Sequence, residues 1–292
     1  MSAVGASPAV TGLPAIKDRP APHLVIEPRA GWRGFGLLEL WPYRELLYFL
    51  IWRDVKVRYK QTVLGVAWAI LQPLLTMLLF TFVFGRLGGL GSRMQVPYPV
   101  FVYSGILLWS FFAAAVTQSS QSLIGSSHLI SKVYFPRLII PVAAIGGGLL
   151  DLGISSAMML LLVLGHGLPL GARALLLPLF IAAALVAAVG VGALLSALSV
   201  AYRDFRYLTG FLVQTWMFLS PVAYPLEMIP ARWQLPYALN PMVGPIAGCR
   251  SALLGQPFPW GSILISTLSA VVLLFLATAY FRSVERRFAD IV

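Results

Sequence analysis

Long apolar runs alternate along this chain with short polar segments rich in glycine and proline. A helix of roughly twenty apolar residues crosses a hydrocarbon core of about 30 Å. Read this way, the runs predict six helical spans near 62–84, 98–120, 137–164, 174–200, 207–224 and 261–281. Turn chemistry separates the first four cleanly: Gly85 to Pro99 is dense in glycine and proline, and Gly165–Gly171 reads Gly-His-Gly-Leu-Pro-Leu-Gly. Short segments of alternating polarity, which a transmembrane barrel needs, are absent from the pattern. The predicted fold class is therefore an all-α polytopic membrane protein.

Three segments fall outside the spans. Residues 37–60 mix the two kinds of position: Leu47, Leu50, Trp52, Val55 and Tyr59 form a broad apolar face, and Arg53, Lys56, Arg58 and Lys60 supply charge. This predicts an amphipathic interface helix fused to the first span. Residues 225–260 are too broken by proline to span and too aromatic for a solvated loop, so short re-entrant helices are expected there. Residues 1–36 are rich in proline, glycine and alanine, which predicts a disordered tail ahead of a membrane domain over 37–292. The first sixteen residues lack a basic stretch followed by an apolar core, so no cleaved signal peptide is expected.

Composition agrees with the pattern. Of 292 residues, 59% are hydrophobic and 11% charged, against about 25% charged in a soluble domain. The net charge of +11 would suggest nucleic acid in a soluble protein; here its distribution matters more. Of the 21 lysines and arginines, only Arg86, Arg93, Arg173, Arg232 and Arg250 fall on the side of the membrane opposite the amino terminus. The positive-inside rule then places both termini in the cytoplasm, with an even number of spans and no nucleic-acid partner. The single cysteine, Cys249, excludes an internal disulfide and a cysteine metal site, and His23, His128 and His166 show no ligand spacing.

Five features are candidates for chemistry. The cations Arg53, Lys56, Arg58 and Lys60 suit either a membrane-surface anchor or contact with an anionic ligand, and the two roles are compatible. The segment Ser126–Arg137 is either a connector or a short surface helix on which a soluble motor can push. Tyr202-Arg-Asp-Phe-Arg206 is a tight turn with a local charge cluster. Asp151 is the one acid deep inside a span, where ionised groups are costly. A structural carboxyl, protonated or paired with a nearby hydroxyl such as Ser155 or Ser156, is favoured over a proton relay, since no second acid or histidine lies at that depth. Aromatic residues on the second span (Trp109, Phe111, Phe112) and the fifth (Trp216, Phe218, Tyr224) suit sugar stacking, core packing or lipid contact. No phosphate loop of the GxxxxGKS type exists, so any ATP is hydrolysed by another polypeptide and no catalytic residues are expected here.

Arg53-Asp-Val-Lys-Val-Arg-Tyr-Lys-Gln-Thr-Val-Leu-Gly-Val-Ala-Trp-Ala-Ile-Leu-Gln-Pro73 closely resembles the first segment of type-2 ABC exporter membrane subunits, the permeases for O-antigen, capsular polysaccharide and teichoic acid. Lys132-Val-Tyr-Phe-Pro-Arg137, Tyr202–Tyr207, Phe218–Pro225, Leu239–Met242 and the Asp151 neighbourhood resemble further parts of that family, in the same order over about residues 37–285. The resemblance implies a homodimer in the bacterial inner membrane with two ATPase subunits that bind ATP and Mg. His128, Lys132, Tyr134, Phe135 and Arg137 would couple to the ATPases. Arg53, Lys56, Arg58 and Lys60 would receive the pyrophosphate of a lipid-linked polysaccharide. The six aromatic residues would line a channel between protomers, and no cofactor would sit on this chain itself. The competing readings are a type-2 exporter of small lipophilic molecules, a proton-coupled transporter using Asp151, and a membrane-embedded glycosyl- or phosphotransferase.

Overall fold

In the computed structural model, which describes residues 38–60, 66–132 and 135–285, every regular element is helical. A 3₁₀ turn over Leu38–Tyr43 contains Pro42 and leads into α1, Arg44–Lys60. Proline has no N–H to give, so it fits just before the first full helical turn. The expected tail over 1–36 lies outside the described residues.

The spans follow the apolar runs. Helix α2 (Val66–Phe80) continues through wider turns to Leu87, and α3 (Tyr98–Gly125) has proline in its first turn. A short α4 (Ser127–Lys132) precedes α5 (Ile139–Gly146) and α6 (Gly148–Gly165), which together form one 27-residue apolar stretch interrupted at Gly147. Helix α7 (Leu177–Ala201) extends a 3₁₀ turn over Ala172–Leu176, and α11 (Trp260–Glu285) closes the described chain. Among the described residues, five helical stretches are long and apolar enough to cross a membrane: Ala67–Leu87, Tyr98–Gly125, Ile139–Gly165, Ala172–Ala201 and Trp260–Glu285.

The expected span over 207–224 is different. Its helix, α8 (Phe205–Phe218), has 14 residues, or about 21 Å at 1.5 Å per residue. The chain then turns through Leu219–Tyr224 and enters two short helices, α9 (Ala231–Ala238) and α10 (Val243–Leu254). The apolar run hides this break because the turn is itself apolar: Ser220-Pro-Val-Ala223 is buried.

Helix α3 is the centre of the bundle and packs against α2, α5, α6, α7, α8 and α10. The broadest helix pairing is α7 with α11. Ala184, Ala187, Ala188 and Gly190 are buried on α7, and such small residues let backbones approach closely where lipid offers no hydrophobic drive.

The two ends of α3 differ. Near its C-terminal end, Leu123 joins Leu50 of α1, Ile139 and Ala143 of α5, Ala197 of α7 and Phe281 of α11 in one buried cluster. Around its N-terminal half lie α10 and the 219–224 turn. The segments expected on the amino-terminal side of the membrane thus gather at one end of the bundle. Gly146 permits the approach of α1 to α5, since a Cβ there would lie 2.6 Å from Ile51 Cδ1.

Candidate functional site

Helix α1 buries Leu50 against the bundle and half-buries Leu46, Leu47 and Ile51 beside it. Trp52 departs from the expected apolar face. It is exposed, as are Trp41, Tyr48 and Phe49. Spacings of seven and four put Trp41, Tyr48 and Trp52 on one side of the segment, an aromatic row suited to a membrane–water interface.

The four cations of α1 fall into two classes. Lys56 and Lys60, four residues apart, are exposed. Arg53 and Arg58 are half-buried and already engaged. Arg53 donates from Nε (2.9 Å) and its terminal nitrogen (2.8 Å) to one oxygen of Asp54. Arg58 donates to Asp151 Oδ2 and, with its other terminal nitrogen, to Gln118 Oε1. Tyr59 donates its phenol to Asp151 Oδ1. Burial, then the hydrogen bond and negative charge of Asp151, raise the Tyr59 pKa well above the ordinary phenol value, so Tyr59 remains a donor.

This corrects the expected partners of Asp151. Its carboxylate is held by Arg58 and Tyr59, more than ninety residues earlier in the chain. Ser156 instead donates back to Leu152 O at 2.7 Å, and the Ser155 carbonyl accepts from Tyr103 at 3.4 Å. Two donors thus hold the Asp151 carboxyl, and among the described residues no second acid shares a hydrogen bond with it.

Between α1, α3 and α5 lies an open cleft of about 600 Å³, lined by Arg53, Asp54, Arg58, Gln118, Gln121 and Ser122 among others. A second, of about 440 Å³, lies between the end of α3 and Arg206 and Tyr207 of α8. Gln121 and Gly125 line both.

The aromatic candidates also divide. Trp109, Phe111 and Phe112 are buried inside the protomer, with Trp109 and Phe112 5.3 Å apart between ring centroids. Trp216 meets Phe112 edge-on at 5.4 Å and is half-buried. In this conformation these four pack α3 against its neighbours, and the three α3 rings are buried. Phe218 is exposed, and half-buried Tyr224 donates to Phe218 O at 3.0 Å and meets Tyr237 Oη at 3.0 Å. Helix α8 buries only Thr209 and Val213 and leaves Tyr207, Phe211, Gln214, Thr215 and Phe218 exposed, a mixed aromatic and polar surface.

Of the coupling candidates, His128 is exposed on α4, whereas Phe135 is buried in the cluster with Leu50 and Phe281. Tyr134 and the Lys132 side chain lie outside the described residues. The backbone N–H of Arg137 donates to Glu285 Oε1 at 2.9 Å, and its guanidinium donates to the Glu285 carbonyl. This loop is therefore fastened to the end of α11.

One residue escaped the sequence reading. Arg250, counted in sequence only among the cations on the side opposite the amino terminus, is buried on α10. It donates to Pro221 O at 2.9 Å and Val222 O at 3.0 Å, and Ser104 Oγ lies 3.4 Å away. Asn240 works beside it, donating to Leu219 O at 3.0 Å and Ser220 Oγ at 2.9 Å while accepting from Met242 N–H at 3.0 Å. Together they satisfy the Leu219, Pro221 and Val222 carbonyls of the 219–224 turn, and the Tyr98 hydroxyl donates to Ala223 O at 2.7 Å. The Leu239–Met242 motif was the signal available in sequence; nothing near Arg250 announced its target.

The family pattern described as ABC-2 type transporter matches residues 45–254. The O-antigen export system permease protein RfbA of Myxococcus xanthus is 30% identical over 256 residues, covering 86% of this chain and 97% of that protein. An O-antigen export system permease protein RfbA of Klebsiella pneumoniae is 26% identical, covering 85% and 95%. The polysialic acid transport protein KpsM of Escherichia coli is 23% identical, covering 81% and 92%. With the matched pattern running from α1 to the end of α10, the chain belongs to the ABC-2 type transporter family.

Proposed function

We propose that this protein is the membrane subunit of an ATP-driven exporter of a lipid-linked polysaccharide. Two copies form the permease in the bacterial inner membrane, with both termini in the cytoplasm. Two separate ATPase subunits bind ATP and Mg and drive transport, and this chain performs no catalysis.

The observation that carries the reading is similarity along nearly the whole length of permeases named for O-antigen export, 97% of the Myxococcus xanthus protein among them. The geometry supports it. Exposed Lys56 and Lys60 beside an aromatic row suit capture of an anionic carrier at the membrane surface. The exposed face of α8, with Phe211, Gln214, Thr215 and Phe218, suits the wall of a channel completed by a second copy. A neutral, hydroxyl-rich polymer slides along such a wall without binding one charge tightly.

Depletion of the protein, followed by location of the lipid-linked glycan, tests the reading. Accumulation at the cytoplasmic leaflet with a bare surface is expected. Normal glycan at the surface would overturn it in favour of a small-molecule exporter.

A further inference from the structure

We propose that the groove across the C-terminal end of α3 binds the first sugars of the lipid-linked glycan, through Gln118, Gln121 and Ser122 and the ring of Tyr207. The proposal rests on the export reading and adds to it a saccharide site separate from the lysines that meet the carrier's charge.

Charge comes first. A site built for pyrophosphate presents uncompensated cations. The larger cleft does not: its two arginines, Arg53 and Arg58, are each paired with a carboxylate, Asp54 and Asp151. What it offers instead is a mixture of amide, hydroxyl, guanidinium and carboxylate groups at near-zero net charge. Such a set both donates to and accepts from sugar hydroxyls without favouring an ion.

Shape comes second. Gln118, Gln121, Ser122 and Gly125 recur at helical spacing and lie along one face of α3. At about 600 Å³ the first cleft falls within the range of small-molecule sites. The second, about 440 Å³, shares Gln121 and Gly125 with it, adds the single cation Arg206, and leads to Tyr207, which is 87% exposed. An aromatic ring held in the open beside a polar row is a stacking platform for the apolar face of a sugar. Two adjoining clefts along one row suit a chain of sugars better than a compact headgroup.

The test uses the full-length protein with its ATPase in lipid nanodiscs. Two probes are compared: the lipid-linked oligosaccharide isolated from cells depleted of this protein, and bare polyprenyl pyrophosphate. Gln121 and Tyr207 are exposed, so Gln121→Leu and Tyr207→Ala are expected to leave the fold intact. Each should weaken binding of the glycosylated carrier by roughly threefold to tenfold, about one hydrogen bond or one ring contact, and leave the bare carrier unchanged. Equal weakening for both probes, or no weakening for either, would overturn the sugar site and leave the export reading standing. Failure of the unmutated protein to bind either probe would overturn both.

Discussion

The Arg250 guanidinium lies 3.7 Å from the centre of the Phe101 ring, sealed inside the bundle between α10 and α3. From there it reaches the Pro221 and Val222 carbonyls. A cation in this position costs desolvation, and the two carbonyls and the ring face offset that cost. Arg250→Met should therefore lower stability by about 2–4 kcal/mol, because it orphans the carbonyls of a buried turn. Arg250→Lys should recover only part, since an ammonium lacks the planar fork. Thermal unfolding of the purified variants in one detergent checks the order.

The Arg58–Asp151 pair makes a different prediction. Both side chains are 28% exposed, so screening moderates the interaction. Asp151→Asn should cost about 1–2 kcal/mol, and the double variant Arg58→Met with Asp151→Leu should cost less than the sum of its parts. Export by Asp151→Asn should persist when the proton gradient is collapsed and ATP is kept high. Loss of export by Asp151→Asn, together with gradient-dependent export by the unsubstituted protein, would restore the proton-relay reading.

Two glycines separate soft from hard contacts. A Cβ at Gly146 meets the Ile51 side chain, at 2.6 Å, whereas one at Gly105 meets the Val222 carbonyl oxygen at 2.9 Å. Both alanine variants should destabilise by about 1–3 kcal/mol. Ile51→Ala should reduce the cost of Gly146→Ala, seen as non-additive unfolding free energies. No side-chain trimming relieves Gly105→Ala, because the obstacle is backbone.

Lys56 and Lys60 are expected to supply the salt-sensitive part of carrier binding. Near an anionic surface each lysine contributes about 1 kcal/mol, or roughly fivefold in affinity. Lys56→Gln with Lys60→Gln should weaken binding of polyprenyl pyrophosphate about 25-fold at low salt by the same estimate. The difference should shrink at high salt. Titrations at two ionic strengths measure it.

Cys249, the single cysteine of the sequence, is buried, which leaves a quiet background for thiol chemistry. Phe211→Cys and Phe218→Cys, on the exposed face of α8, should cross-link between copies in membranes with a short bis-maleimide. Trp109→Cys, inside the protomer, should not. A dimer-sized band on a denaturing gel decides the matter.

The spans were legible because a hydrocarbon core admits only long apolar helices, and the runs in this chain have that length. The end of α8 was hidden for a physical reason. Ser220-Pro-Val-Ala223 is apolar like a span, and its buried Pro221 and Val222 carbonyls are answered by Arg250, 28 residues away from Val222. Asp151 was recognised as unusual, but its partners Arg58 and Tyr59 come from another helix, and single-sequence spacing reports only local neighbours. For the aromatic residues, a ring in a packed core and a ring in a channel wall leave the same mark on a sequence. Only the fold separates Phe112 from Phe218.

The contact of Arg137 with Glu285 has a mechanical consequence. Helix α11 contains no glycine or proline after Gly261, so it has no joint at which to bend. Its far portion is pinned as well: Ser266 donates to Asn240 O at 2.7 Å and accepts from Gly244 N–H at 2.9 Å. From Ser266 to Glu285 is about 28 Å of continuous helix. The loop at one end of the bundle and the short helices α9 and α10 at the other are thus connected in series by a stiff tie rod. Slack can be taken up only where it is fastened, at Glu285 or at Ser266.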